Sequence, residues 1–246
     1  METNKIYLGD SYQLMKDIPN QSVDCVYTDV PYLYTQSGNG EGRGSELNKS
    51  IRNKNRQLSD ANIVDGFDYN LLGEMVRVCK KINIFIWCSR LQILDILKYF
   101  ENLDCTYDIL VWNKTNPIPA TNNVWLSDIE YCLYFRGKGV KLNDGYEIKS
   151  KWFTTPINQN DKNEFVHPTI KPLELVKRHL LHATQPDDIV LDPFMGSGTT
   201  CVASQEIGRK YIGMEIDTLY FKISKDRLNG INVSGQTSIF TDFDNL

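Results

Sequence analysis

The chain has 246 residues, of which 41% are hydrophobic, 11% aromatic and 24% charged, an ordinary globular composition that length confines to one large domain or two small ones. No stretch approaches the roughly 18 consecutive apolar residues of a membrane-spanning helix, and Met1–Lys5 lacks the basic-then-apolar pattern of a signal peptide. A soluble cytoplasmic protein with no membrane partner is therefore expected, and its net charge of −4 means that any polyanion must be met by local basic patches.

Lys5–Leu8 predicts a short strand ending in Gly9-Asp10-Ser11, which puts an acid at a strand's carboxyl end, where open parallel sheets bind ligands. A helical stretch to about Lys16 and a turn over Ile18–Ser22 lead to a second strand, Val23–Tyr27. It delivers Thr28-Asp29-Val30-Pro31-Tyr32: an acid, a rigid proline and an exposed aromatic at one strand end. Asp29 and a nearby main-chain carbonyl can accept hydrogen bonds from an exocyclic amine, and Tyr32 can offer a face to a base. Taken alone, the fragment reads as an ordinary turn.

Ser37–Gln57 is glycine-rich and then basic, carrying Arg43, Lys49, Arg52, Lys54 and Arg56; it is expected as a mobile loop that closes on a phosphate backbone, or as a solvated insert. Tyr69–Lys80 predicts a helix, Ile82–Trp87 a buried strand, and Leu91–Phe100 an amphipathic helix with its leucines and isoleucines toward the sheet. Thr106–Trp112 and Ile129–Phe135 predict two strands, separated by a polar segment with an exposed Trp125. Gly137–Phe165 has no clear periodicity, yet it interleaves Lys138, Lys141, Lys149 and Lys151 with Trp152 and Phe153, a composition suited to a nucleic-acid surface. Pro172–Ala183 predicts the next helix.

Ile189–Leu191 is a short apolar run leading into Asp192-Pro193-Phe194-Met195-Gly196-Ser197-Gly198-Thr199-Thr200, and Thr200–Ile207 can form a helix behind it. In this strand, glycine turn and helix, Gly196 and Gly198 remove the Cβ atoms that would keep a ligand off the backbone, while the helix start offers N–H groups to an anion. A phosphate-binding P-loop is excluded, because no lysine follows Gly198. The strand Lys210–Met214 ends at Glu215, 19 residues after Gly196 and near the spacing at which an acid meets a ribose diol. Loop and acid together read as a nucleoside-cofactor site. Leu219–Leu228 is the last predicted helix, and Asn229–Leu246 a polar tail.

The six cysteines contain no Cys-x-x-Cys pair and are expected as reduced core residues; His167, His179 and His182 find no third ligand, so no metal site is expected.

Together, the motifs Asp192–Thr200, Thr28–Tyr32 and His167-Pro168-Thr169-Ile170-Lys171-Pro172 resemble the cofactor motif, the catalytic Asp-Pro-Pro-Tyr and the His-Pro-Thr-x-Lys-Pro of the amino-methylating DNA methyltransferases. Their order resembles the circularly permuted β class. The resemblance spans about 5–228 and implies a doubly wound, mostly parallel, seven-stranded α/β sheet of the class I methyltransferase type with an antiparallel hairpin. It implies one domain over 1–228, with the mobile basic loop at about 37–57, a target-recognition region at about 137–165 and a tail at 229–246. Its implied cofactor is S-adenosylmethionine and its implied partner double-stranded DNA in a bacterial or phage setting; a homodimer and a cognate restriction enzyme stay open.

By the same resemblance, Asp29, Val30, Pro31 and Tyr32 are catalytic. Asp10, His167, Thr169, Lys171, Asp192, Pro193, Phe194, Gly196, Ser197, Gly198, Thr199 and Glu215 surround the cofactor, with Lys171 and Thr169 at its carboxylate, Glu215 at its ribose and Asp10 at its adenine. Arg43, Lys49, Arg52, Lys54, Arg56, Lys138, Lys141, Lys149, Lys151 and Trp152 face DNA. Val30 stands where the family usually has proline; its carbonyl can still accept from the amine, at some loss of rigidity. No Pro-Cys dipeptide occurs, so the covalent route to cytosine carbon has no nucleophile. Asp29 matches the pattern common for adenine N6, where Ser is common for cytosine N4. Cytosine N4, a catalytically weak homologue that binds DNA and cofactor, and an RNA or protein-amide substrate remain as alternatives.

Overall fold

The computed structural model describes residues 1–33, 66–117, 125–157 and 170–230. Within them, β1 (Lys5–Leu8), β2 (Cys25–Asp29), β3 (Asn83–Cys88), β4 (Cys105–Lys114), β5 (Ile129–Gly137), β6 (Trp152–Thr155), β7 (Ile189–Asp192) and β8 (Lys210–Glu215) form one sheet in the order β1-β8-β7-β2-β3-β5-β4-β6. Neighbours are parallel except at β3–β5 and β4–β5, so β5 runs against the seven other described strands. Seven strands were expected and eight are present. The additional one is β6, which pairs Trp152–Thr155 with Val111–Lys114 at the sheet edge.

The apolar runs at the centre are continuous, not alternating, because both faces are covered: all six residues of β3 are buried, as are the first four of β2. On one face lie α1 (Ser11–Leu14), α2 (Asn70–Val78) and α3 (Ile93–Phe100). The stripe Leu71, Leu72, Met75 and Val78 turns α2 inward, and Ile96 with Phe100 does so for α3, whereas Leu94 faces out. The other face carries α4 (Leu173–Ala183), α5 (Thr199–Glu206) and α6 (Thr218–Leu228). Among the described residues no helix is long and apolar enough to cross a membrane.

The chain steps from β2 to β3 in one direction across the sheet and from β7 to β8 in the other. A crevice opens where the direction reverses, at the adjoining carboxyl ends of β2 and β7. Those ends are Asp29 and Asp192.

Candidate active site

One cleft of about 200 Å³ at these strand ends is lined by Asp10, Asp29, Tyr32, Lys171, Asp192 and Glu215, with the Pro193–Ser197 turn between them. The Asp-Val-Pro-Tyr fragment and the glycine turn, 160 residues apart in order of appearance, thus share a cavity because β2 and β7 are hydrogen-bonded neighbours.

At the catalytic-motif end, Lys171 is 5% exposed and its ammonium contacts Asp29 Oδ2, Glu130 Oε2 at 3.0 Å and the Tyr32 hydroxyl at 3.2 Å. Glu130 also takes Lys114 at 2.5 Å and accepts from the Tyr32 hydroxyl at 3.3 Å. Burial pushes the Asp29 carboxyl above its ordinary range, against the pull of Lys171. Burial would raise Glu130 too, but Lys171 and Lys114 together bring it down to about 2. Lys171 is itself held above the ordinary lysine range, since its two carboxylates outweigh its burial. The second oxygen of Asp29, Oδ1, is buried and has no hydrogen-bond partner among the described residues. An unsatisfied carboxylate oxygen beside an open cleft is an acceptor waiting for a donor.

Lys171 was expected at a cofactor carboxylate. Here its three N–H donors are engaged by Asp29, Glu130 and Tyr32, which leaves none for a further anion in this arrangement. Tyr32, expected exposed, is 8% exposed, with its ring 5.4 Å from the Lys171 ammonium. Val30 buries its side chain in the core and donates its N–H to Trp87 O at 3.2 Å, a bond proline could not make. The ladder between β2 and β3 is thereby prolonged by one residue. The rigidity expected to be lost with proline is replaced by this bond and by the Gln92 amide, which donates to Pro31 O at 2.9 Å.

At the glycine turn, Glu215 is tied on both oxygens, accepting from Gly196 N–H at 2.9 Å and Asp217 N–H at 2.8 Å. Each oxygen keeps a lone pair for a ligand hydroxyl. Asp10 accepts from Tyr12 N–H at 2.9 Å and caps α1, and Phe194 meets Tyr12 and Phe67 edge-on at 6.4 and 6.3 Å, giving the cleft an apolar wall. Arg227, which sequence reasoning missed, reaches from α6 to Ser197 O at 2.7 Å and Thr199 Oγ1 at 3.1 Å and clamps the turn. Gly198 also meets a packing requirement: with φ +82° it starts α5, and a Cβ there would lie 2.7 Å from Ser224 Cβ.

Asp192 is 3% exposed, and burial lifts its carboxyl to about 7 despite bonds such as that from Phe194 N–H. The folded chain therefore holds a proton that the unfolded chain, at its ordinary 3.8, has released. The associated stability is fully present below 3.8 and is lost as pH rises through about 7. Asp192→Asn should flatten that part of the pH dependence, which amounts to roughly 4 kcal/mol at most; urea midpoints of both proteins between these pH values check it.

The predicted DNA-facing residues are dispersed. Because β5 runs backward, Lys138 and Lys141 follow its end at the amino edge of the sheet, where Asn143 bonds Leu181 O at 2.7 Å and Thr184 O at 2.8 Å. Lys149 pairs with Asp144 at 2.6 Å, and Lys151 reaches back to Asp108 in the first half of β4. Trp152 is half exposed on β6. None of these five residues lines the cleft. Arg43, Lys49, Arg52, Lys54, Arg56, His167 and Thr169 lie outside the described residues. Burial raises the Cys88 thiol to about 12, so the cysteine packed near Asp29 stays protonated. Among the described residues no group of three His, Cys, Asp or Glu side chains could hold a metal ion.

The sequence pattern of the N6 and N4 methyltransferases, described as DNA methylase, matches residues 23–226. The chain belongs to this DNA methylase family. It is 30% identical over 241 residues to the Type II methyltransferase M2.LlaDCHI of Lactococcus lactis subsp. cremoris, covering 90% of this chain and 87% of that one. The Type II methyltransferase M.HinfI of Haemophilus influenzae is 29% identical over 247 residues, covering 93% and 69%. Among solved structures, the M1.HpyAVI complex with SAM superposes with a TM-score of 0.67 at 27% identity, covering 92% of this chain and 98% of that one. The cytosine-N4-specific PvuII DNA methyltransferase, at 15% identity and a TM-score of 0.65 over 100% and 89%, shares the fold of this methylase.

Proposed function

We propose that this DNA methylase transfers a methyl group from S-adenosylmethionine to the N6 amine of an adenine extruded from the duplex. The observation that carries the reading is the unpartnered, buried Oδ1 of Asp29, among the described residues, in the same cleft as the glycine turn. The bound cofactor would supply an already activated methyl group. The cleft suits it: Glu215 has lone pairs left for ribose hydroxyls, the Phe194 and Tyr12 rings offer an apolar wall, and the Gly196 turn brings backbone close.

The amine of adenine is a poor nucleophile because its lone pair is delocalised into the ring. Asp29 Oδ1 and the Val30 carbonyl would accept hydrogen bonds from its two N–H groups, which draws the nitrogen toward a tetrahedral shape and frees the lone pair; as the methyl leaves the sulfonium for nitrogen, the one surplus proton would pass to Asp29 and on to solvent. Tyr32 and Trp87 wall the space the base enters. Extrusion costs a few kcal/mol, offset by these contacts. Alignment and desolvation are then the protein's contribution to rate. Asp at position 29, not Ser, favours adenine over cytosine. The basic residues between Arg43 and Arg56 are the proposed contacts to the DNA backbone.

The test is mass spectrometry of nucleosides from unmethylated plasmid incubated with protein and S-adenosylmethionine. N6-methyladenine is expected. N4-methylcytosine would overturn the base, and an unmodified plasmid, with cofactor binding measured separately, would overturn DNA methylation itself.

A further inference from the structure

We infer that Glu130 is a positioning residue for the reaction: by sharing the Lys171 ammonium with Asp29, it leaves the unpartnered Oδ1 of Asp29, a side chain that lines the cleft, a charged acceptor among the described residues. The inference rests on the amine-methylation reading above.

The geometry is a closed set of four charges, two carboxylates and two ammoniums. Lys171 divides its donors between Asp29 Oδ2, Glu130 Oε2 at 3.0 Å and the Tyr32 hydroxyl at 3.2 Å, and it is held in place by the rings of Trp87 and Tyr32 at 5.2 and 5.4 Å. Glu130 is fixed from two sides. Its other oxygen is bound to Lys114 at 2.5 Å, and its backbone stands opposite Trp112 in the ladder between β4 and β5. The antiparallel strand therefore brings the second carboxylate behind the cleft's wall, against Lys171 and Tyr32, which line it.

What Glu130 does follows from Coulomb's law at low dielectric. With Glu130 neutral, Lys171 belongs to Asp29 alone, and its ammonium neutralises the carboxylate that must accept from the target amine. A charge-assisted hydrogen bond is about twice as strong as a neutral one, so the acceptor is weakened where it acts. With Glu130 charged, the ammonium is held between two anions and Oδ1 keeps its negative charge.

The experiment compares wild type with Glu130→Gln, which preserves shape and removes charge. Expected is a fall in kcat on the order of 10- to 100-fold, with KM for DNA and for S-adenosylmethionine within about twofold. The acid limb of the kcat profile should also move to lower pH, because the charge of Glu130 is one of the influences that raise Asp29. Glu130→Asp, which keeps the charge, should recover part of the rate, and it carries the same comparison if the Gln variant does not fold. Wild-type kcat, a loss confined to KM, or an unmoved acid limb would overturn the inference. A second readout needs no turnover: the 13C carboxyl titration of Asp29 in the ligand-free protein should shift downward in Glu130→Gln. A titration that does not move sinks the coupling, whereas a wild type that transfers no methyl group sinks the methylation reading.

Discussion

Asp29→Ala is expected to abolish methyl transfer while leaving cofactor affinity within a few-fold of wild type. The substitution removes the one buried carboxylate oxygen in the cleft that has no partner among the described residues, and with it the acceptor that would draw the amine out of conjugation. Loss of a preorganised acceptor of this kind costs on the order of 10³-fold in rate. Cofactor contacts should persist, since Glu215, Gly196 and Phe194 sit on β8 and the turn after β7, not on β2. The fold should persist as well, because Lys171 keeps Glu130 as its counter-ion at 3.0 Å. The surplus positive charge left in the wall makes some loss of stability certain to be measurable. Asp29→Asn, which retains shape and removes charge, separates the two effects. Single-turnover transfer of labelled methyl to DNA, with calorimetry for the cofactor, reads both variants; transfer near the wild-type rate in Asp29→Ala would show that Asp29 is not the amine acceptor.

The parallel strands were legible because a strand covered on both faces must be apolar throughout, and Cys25–Tyr27, Asn83–Cys88 and Ile189–Leu191 are nearly so. The strand-turn-helix at Asp192–Glu206 was legible for a different reason: a backbone with φ of +51° at Gly196 and +82° at Gly198 leaves few residue types to choose from. What sequence could not give is whatever depends on pairing across the sheet. Glu130 looks like any charged residue at a strand's start, and its position beside Lys171 follows from β5 running antiparallel between β3 and β4. The same reversal carries Lys138 and Lys141 to the amino edge of the sheet, opposite to the end where the cleft opens. A basic, aromatic composition is equally compatible with either edge. The strand β6 was missed because four residues with partly exposed side chains at a sheet edge have no apolar pattern to read. Arg227 escaped for the reason Glu130 did, since a basic residue late in a helix is explained by the helix dipole until its reach to Ser197 and Thr199 is seen.

Gly198→Ala should lower stability by roughly 2–5 kcal/mol and weaken cofactor binding with it. Two separate terms contribute. A residue with a side chain at φ +82° pays about 1–2 kcal/mol for the left-handed backbone. Its Cβ would also lie 2.7 Å from Ser224 Cβ and 3.3 Å from Ser224 Cα, a contact with the body of α6 that no rotamer can relieve. Overpacking of that kind costs about 1–3 kcal/mol. Relief by moving α5 away from α6 would pull Thr199 and Ser197 from Arg227 and shift the turn that faces the cleft, which is why affinity should fall along with melting temperature. The double variant Gly198→Ala with Ser224→Gly distinguishes the terms. Removing the Ser224 side chain relieves the Cβ contact but leaves the backbone strained, so the pair should recover the contact part only, with a coupling of about 1–3 kcal/mol between the two sites. Urea midpoints of the four proteins give that number. Additive losses with no recovery would mean that backbone strain, not the approach of the two helices, is what requires glycine at the head of α5.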